Sequence, residues 1–119
     1  MDSTALPPTR PNFSITAAKL IMVSQKDPAI NGQVIRLTRP VLNIGRVEGD
    51  LVIADPSISR SHARLEYAAE QSSWTITDLN SKYGVKVNGR SIAPGQPNTL
   101  QAGMVVELSS NTRFEFQVE

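Results

Sequence analysis

Short alternations of apolar and polar residues run along the 119-residue chain, each closed by a turn signal. Ala18–Ser24 (AKLIMVS) reads as a strand, as does Gln33–Thr38 (QVIRLT), where Val34, Arg36 and Thr38 stand opposite Ile35 and Leu37. A two-residue period is the mark of a half-buried strand. Between these two segments, KDPAINGQ holds Asp-Pro and Asn-Gly, both turn dipeptides. VLNIG (Val41–Gly45) is a further strand ended by glycine, and a short DLVIA precedes DPSISRS. HARLEYA, SWTITDL, VKV, MVVELS and RFEFQV follow, rich in β-branched and aromatic residues. AEQSS, NSKYG, NGRSIAPGQPN and QAG separate them as turns. No 3.6-residue period persists, so no helix is predicted. About ten short strands at this spacing predict an all-β sandwich or barrel.

Residues 1–14 depart from the pattern. They hold three of the eight prolines, several Ser and Thr, and little apolar content. A flexible tail is predicted there, with one domain over residues 15–119. Hydrophobic residues at 39% and charged residues at 19% suit one ordinary globular core. Twelve Lys and Arg against 11 Asp and Glu leave a net charge of +1. That is no footprint for direct nucleic-acid binding, so any anion must be met by local placement of charge. The absence of cysteine removes disulfides, thiolate chemistry and Cys-type zinc sites. There is no apolar run of membrane-spanning length and no signal-peptide layout, so an intracellular, membrane-free setting is expected.

One strand opens in an unusual way. In SISRSHARLEY (Ser57–Tyr67), Ala63, Leu65 and Tyr67 alternate with His62, Arg64 and Glu66. Before them stand three serines and an arginine, and His62, which opens the alternation, is the chain's single histidine. Two further patches fall at strand ends or loops: Ile44-Gly45-Arg46, and DLNSKYGVKVNG from Asp78 to Gly89. An arginine presents a planar fork of donors that matches phosphate, a serine adds a neutral donor, and a lysine adds a point charge. Carried on neighbouring loops of a rigid sandwich, they would form an anion pocket.

Each residue also has a plainer reading. Arg46 and Arg60 could be solvated charges, Ser59 a turn cap, and Tyr83 a core-edge aromatic. Asp55 reads as a turn residue or a partner that orients an arginine, and Asp78 as a brace for the 78–84 loop or for Arg60. Trp74 and Tyr67 read as core. A lone histidine without cysteine builds no metal site. His62 with Ser59 or Ser61 would be the start of a hydrolase, but no nucleophile elbow or oxyanion hole is legible.

Taken in order, GR, SISRSH and DLNSKYGVKVNG resemble the forkhead-associated (FHA) domain, over Ala17 to Val118. The resemblance implies an eleven-stranded, two-sheet β sandwich whose loops at one end bind phosphothreonine peptides. It implies no enzyme activity and no cofactor or metal. By position, Arg46 would bind the phosphate or brace the peptide, and Ser59 would donate its hydroxyl to a phosphate oxygen. Arg60 and Lys82 would contact phosphate or peptide. Gly45, His62, Gly84, Asn88 and Gly89 would support the loops, His62 by hydrogen bonding. Tyr83 stands where most members carry an asparagine that binds the peptide main chain, and Val85 replaces a common threonine. This SKYG variant is similar to that of nibrin-like DNA-damage adaptors, which implies DNA-damage signalling and a nuclear rather than cytoplasmic location. The partner would be a phosphothreonine-containing protein. Thr4 or Thr9, once phosphorylated, could dock into a second copy and give a homodimer. The alternative is a non-catalytic β-sandwich scaffold that binds partners independently of phosphorylation.

Overall fold

The computed structural model describes residues 15–119. The tail expected over residues 1–14, with Thr4 and Thr9, lies outside the described residues. Eleven strands follow in order: β1 (Ala18–Ser24), β2 (Val34–Leu37), β3 (Val41–Gly45), β4 (Leu51–Val52), β5 (Ala63–Ala68), β6 (Ser73–Asp78), β7 (Lys86–Val87), β8 (Arg90–Ser91), β9 (Asn98–Thr99), β10 (Val105–Glu107) and β11 (Thr112–Val118). They form two sheets, β2-β1-β11-β10-β7-β8 and β4-β3-β5-β6-β9. All pairings are antiparallel except β3 with β4. The β sandwich expected from the family resemblance is therefore present.

The alternation in β1 carries directly into packing. Ala18, Leu20, Met22 and Ser24 point inward, and Leu20 and Met22 stand opposite Phe116 and Phe114 of β11. These face Ile44, Leu65, Trp74 and Ile76 from the other sheet. Each such buried side chain contributes about 1.5–3 kcal/mol relative to exposure. Trp74 is core, as predicted, and its indole N–H donates to the Thr16 carbonyl at 2.9 Å. Tyr67 meets it edge-on, with ring centroids 5.4 Å apart. At the same end the Glu119 N–H donates to the Ala17 carbonyl, so the two ends of the described chain meet there. β1 runs from this end to Ser24, which pairs with Thr112 at the start of β11. The β10–β11 turn thus lies at the opposite end of the sandwich.

Three elements differ from the sequence expectation. β8 lies within NGRSIAPGQPN, which reads as a turn, and β9 straddles its end, because two-residue polar strands leave no periodic signal. A short 3-10 turn, Ala69–Gln71, closes the β5–β6 hairpin where no helical element was predicted. β5 begins at Ala63, so His62 is not the outward neighbour of Arg64 and Glu66 but a buried loop residue. Asn88-Gly89 forms the two-residue turn between β7 and β8, with φ of +49° and +83°. Such a turn needs positive φ at both positions, which Asn and Gly tolerate best.

Candidate functional site

The site begins where β3 ends. A Cβ on Gly45 would lie 2.1 Å from the Arg60 carbonyl oxygen and 2.3 Å from that of Glu48. Only glycine lets the end of β3 press against the β4–β5 loop this closely. The contact is hydrogen-bonded throughout. The Arg46 N–H donates to the Ser59 carbonyl (2.9 Å), the His62 N–H to that of Ile44 (2.8 Å), and the Glu48 N–H to that of Arg60 (3.2 Å).

This packing brings Arg46 beside Ser59. The Arg46 Nε donates to the Ile58 carbonyl at 3.0 Å, which fixes the guanidinium plane. Among the described residues its outer nitrogens have no partner, and they remain available to a ligand. The Ser59 hydroxyl oxygen accepts the Lys82 backbone N–H at 2.9 Å. That bond ties the β4–β5 loop to the β6–β7 loop and leaves the hydroxyl proton free to donate. The Lys82 ammonium lies 5.4 Å from the centre of the Tyr83 ring, within cation–π range. Tyr83 itself is 63% exposed.

Arg46, the Pro56–Ser61 loop, Lys82 and Tyr83 line one open cleft of about 450 Å³. Three cations, Arg46, Arg60 and Lys82, border it, and no carboxylate does. All five residues expected to meet a phosphopeptide are therefore together. A second depression of about 400 Å³ adjoins it, lined by Ser57, Tyr83, Gly84, Lys86, Glu107, Ser109 and Ser110. The two share Ser57 and Tyr83. Ser57, Lys86 and the 109–110 turn carried no distinctive sequence signal as lining residues.

The supporting residues divide into two groups. His62 is 0% exposed and sits behind the cleft. Its Nδ1 accepts the Ser59 N–H at 2.9 Å, so the ring proton resides on Nε2. Its backbone carbonyl accepts the Leu79 N–H. His62 thus joins β3, the β4–β5 loop and the end of β6. Its ring lone pair faces a backbone amide and not a hydroxyl, which leaves the Ser–His hydrolase reading without a base. Asn88 and Gly89 lie outside the cleft lining. The Asn88 side chain accepts the Val105 N–H at 2.8 Å and fastens the β7–β8 hairpin to β10. Gly84 lines the second depression, with φ +82°. Asp78 is buried and accepts the Ser81 N–H, bracing the 78–81 turn and not Arg60. Asp55 is a turn residue, again without an arginine partner among the described residues.

Two buried titratable groups make the loops acid-sensitive. Burial pushes the His62 pKa below its usual 6.5, although the Gly84 and Leu108 backbone and the Asp78 and Asp55 charges pull it back up. Burial alone would raise Asp55, but hydrogen bonds from Thr112, Ser57 and Asn111 outweigh it and hold the carboxyl below 3.8. On acidification the unfolded chain protonates His62 before the folded one does, so stability falls as pH drops below 6.5. The Asp55 contribution is complete above 3.8 and is lost as pH falls through its lowered folded value. Urea midpoints measured from pH 8 to 3 should be flat above about pH 7 and then decline in these two stages. In His62→Gln the upper stage should vanish. A flat wild-type profile between about pH 7.5 and 5.5 would contradict the buried neutral imidazole.

Against known families, a model described as the FHA domain matches residues 42–109, more than half of the chain. The chain belongs to the FHA-domain family. Among solved structures, the FHA domain of the CT664 protein from Chlamydia trachomatis superposes with a TM-score of 0.73 at 32% identity, covering 87% of this chain and 98% of that one. Mycobacterium tuberculosis EmbR, in complex with a low affinity phosphopeptide, matches with a TM-score of 0.69 at 28% identity, over 87% of this chain and 25% of EmbR. Protein phosphatase 2C 70 of Arabidopsis thaliana is 31% identical over 71 residues, 59% of this chain and 12% of the phosphatase. The chain spans only 11–12% of the length of the curated relatives it matches. The matched segment of this FHA domain runs from β3 to just past β10, and so includes every cleft residue.

Proposed function

We propose that this FHA domain recognises phosphothreonine in partner proteins through Arg46, Ser59, Arg60, Lys82 and Tyr83, and catalyses no reaction. The observation that carries the reading is a cleft bordered by three cations and a free hydroxyl, with no acid, in a chain of net charge +1. A phosphate brings about −1.5 to −2 charges and three strong acceptor oxygens. Arg46 and Lys82 would supply charge-assisted donors, and Ser59 a neutral one. Each charge-assisted bond contributes about 1.5–3 kcal/mol net, and peptide ordering offsets much of the sum. Micromolar affinity, about −8 kcal/mol, is expected. The EmbR complex with a phosphopeptide supports the ligand class.

The test is a titration with a degenerate phosphothreonine peptide library and its unphosphorylated counterpart. Binding by the phosphorylated set alone is expected, and equal binding by both would reverse the reading. Phosphorylation-independent docking finds little support in the surface. The exposed valines Val34, Val41, Val47, Val52 and Val118 are divided between the two sheets and the β3–β4 loop, and singly exposed apolar residues are ordinary on a protein surface.

Two finer readings belong to the same proposal. The SKYG sequence at Ser81–Gly84 supports a role in DNA-damage signalling and a nuclear location, to be tested by recruitment of the protein to induced breaks. Phosphorylation of Thr4 or Thr9 would let the tail occupy the cleft of a second copy. Tail-phosphorylated protein that stays monomeric at tens of micromolar in the ultracentrifuge would end that idea.

A further inference from the structure

Behind the cleft lies a carboxylate that touches no ligand surface. Asp55 is 0% exposed, and among the described residues no cation pairs with it. Its Oδ1 accepts the Ser57 N–H at 2.9 Å and the Ser57 hydroxyl at 2.7 Å. Its Oδ2 accepts the Thr112 hydroxyl at 2.7 Å, with Ser109 at 3.4 Å and the Asn111 amide at 3.5 Å from Oδ1 as longer contacts. Thr112 has one proton, given to Asp55, so the buried Ser24 hydroxyl must donate to Thr112 across 2.8 Å. A turn residue alone needs only the Ser57 amide and has no reason to be buried with its charge. The rest of this network comes from the other sheet, from the β10–β11 turn and β1.

The network leads to the phosphate-facing arginine. The Asp55 carbonyl accepts the Ile58 N–H at 2.9 Å and closes the 55–58 turn. The carbonyl at the end of that turn, on Ile58, is the acceptor that fixes the Arg46 Nε. On the preceding side, the Ala54 N–H is held by the buried Asp27 carboxylate at 2.8 Å. We propose that Asp55 is a positioning residue through which the β10–β11 turn sets the aim of Arg46, and with it phosphate affinity, without touching the ligand. This rests on the phosphopeptide reading above.

Thr112→Val removes the hydroxyl that reaches Asp55 while keeping nearly the same shape, and Thr112→Ser keeps it. The expected result is an approximately tenfold rise in Kd for a phosphothreonine peptide in the valine variant, near-wild-type Kd in the serine variant, and a broadened, faster-exchanging Arg46 Nε–H signal by NMR only in the former. Ile76→Val, in the core of β6, serves as the destabilised control and should leave Kd and the Arg46 signal unchanged. A folded Thr112→Val with wild-type Kd and an unchanged Arg46 signal would overturn the proposal. If that variant does not fold, Asn111→Ala replaces it, with an expected threefold rise in Kd, and no rise would overturn the proposal equally. The Arg46 Nε–H signal is read without peptide. It therefore judges the positioning role even if the wild type binds no phosphopeptide, a result that would sink the functional reading instead.

Discussion

Arg46→Ala is expected to cost about 2–5 kcal/mol of phosphopeptide affinity, which takes a micromolar interaction to somewhere between tens of micromolar and the millimolar range. The size follows from the geometry. The guanidinium is already fixed by its Nε bond to the Ile58 carbonyl, so little ordering is left for binding to impose. Its outer nitrogens face a cleft without carboxylates. The side chain is exposed, so the folded state loses one hydrogen bond, about 1 kcal/mol or less. Calorimetric titration beside a thermal melt separates the two effects. Arg46→Lys keeps the charge but loses both the fork and the Nε anchor, and should recover only part of the affinity. An alanine variant that binds as the wild type does would remove Arg46 from the site.

Gly45→Ala should act on fold and site together. A new methyl would stand 2.1 and 2.3 Å from two backbone oxygens, and neither belongs to a side chain that could swing away. The end of β3 must then part from the β4–β5 loop, stretching the Arg46–Ser59 and His62–Ile44 backbone bonds. A loss of about 3 kcal/mol or more is expected, a large share of the 5–15 kcal/mol typical of a domain. Phosphopeptide binding should fail with it, because the displaced segment carries Arg46. The urea midpoint measures the first effect. A midpoint near the wild-type value would mean that the loop yields easily and that the glycine is not required by space.

What the sequence made legible tracks the physics of each element. β1 and β3 match their predicted bounds to the residue: β1 alternates in burial along its whole length between clear boundaries, and β3 is a short apolar run closed by Gly45, although its burial does not alternate. β8 and β9 are two residues long and mostly exposed, so neither period nor composition marks them. The cleft residues were legible as a set because their types suit phosphate and their spacing resembles the family. Their supports were only half legible. His62 read as a brace, yet its burial depended on β5 starting one residue later than the alternation suggested. Asp55 read as a turn residue, and its decisive partner, Thr112, lies 57 positions away. Lys82 read as a side-chain contact, while its backbone amide also holds Ser59. Long-range hydrogen bonds of this kind leave no local pattern to read.

The most direct measurement is a set of amide NMR spectra recorded while a phosphothreonine peptide selected from the library, and then its unphosphorylated form, is added to the wild-type protein. Shifts concentrated at Arg46, Ser59, Arg60, Lys82 and Tyr83 are expected with the phosphopeptide, and none with the unmodified one. Shifts on a sheet face, or the same shifts from both peptides, would contradict the phosphothreonine reading.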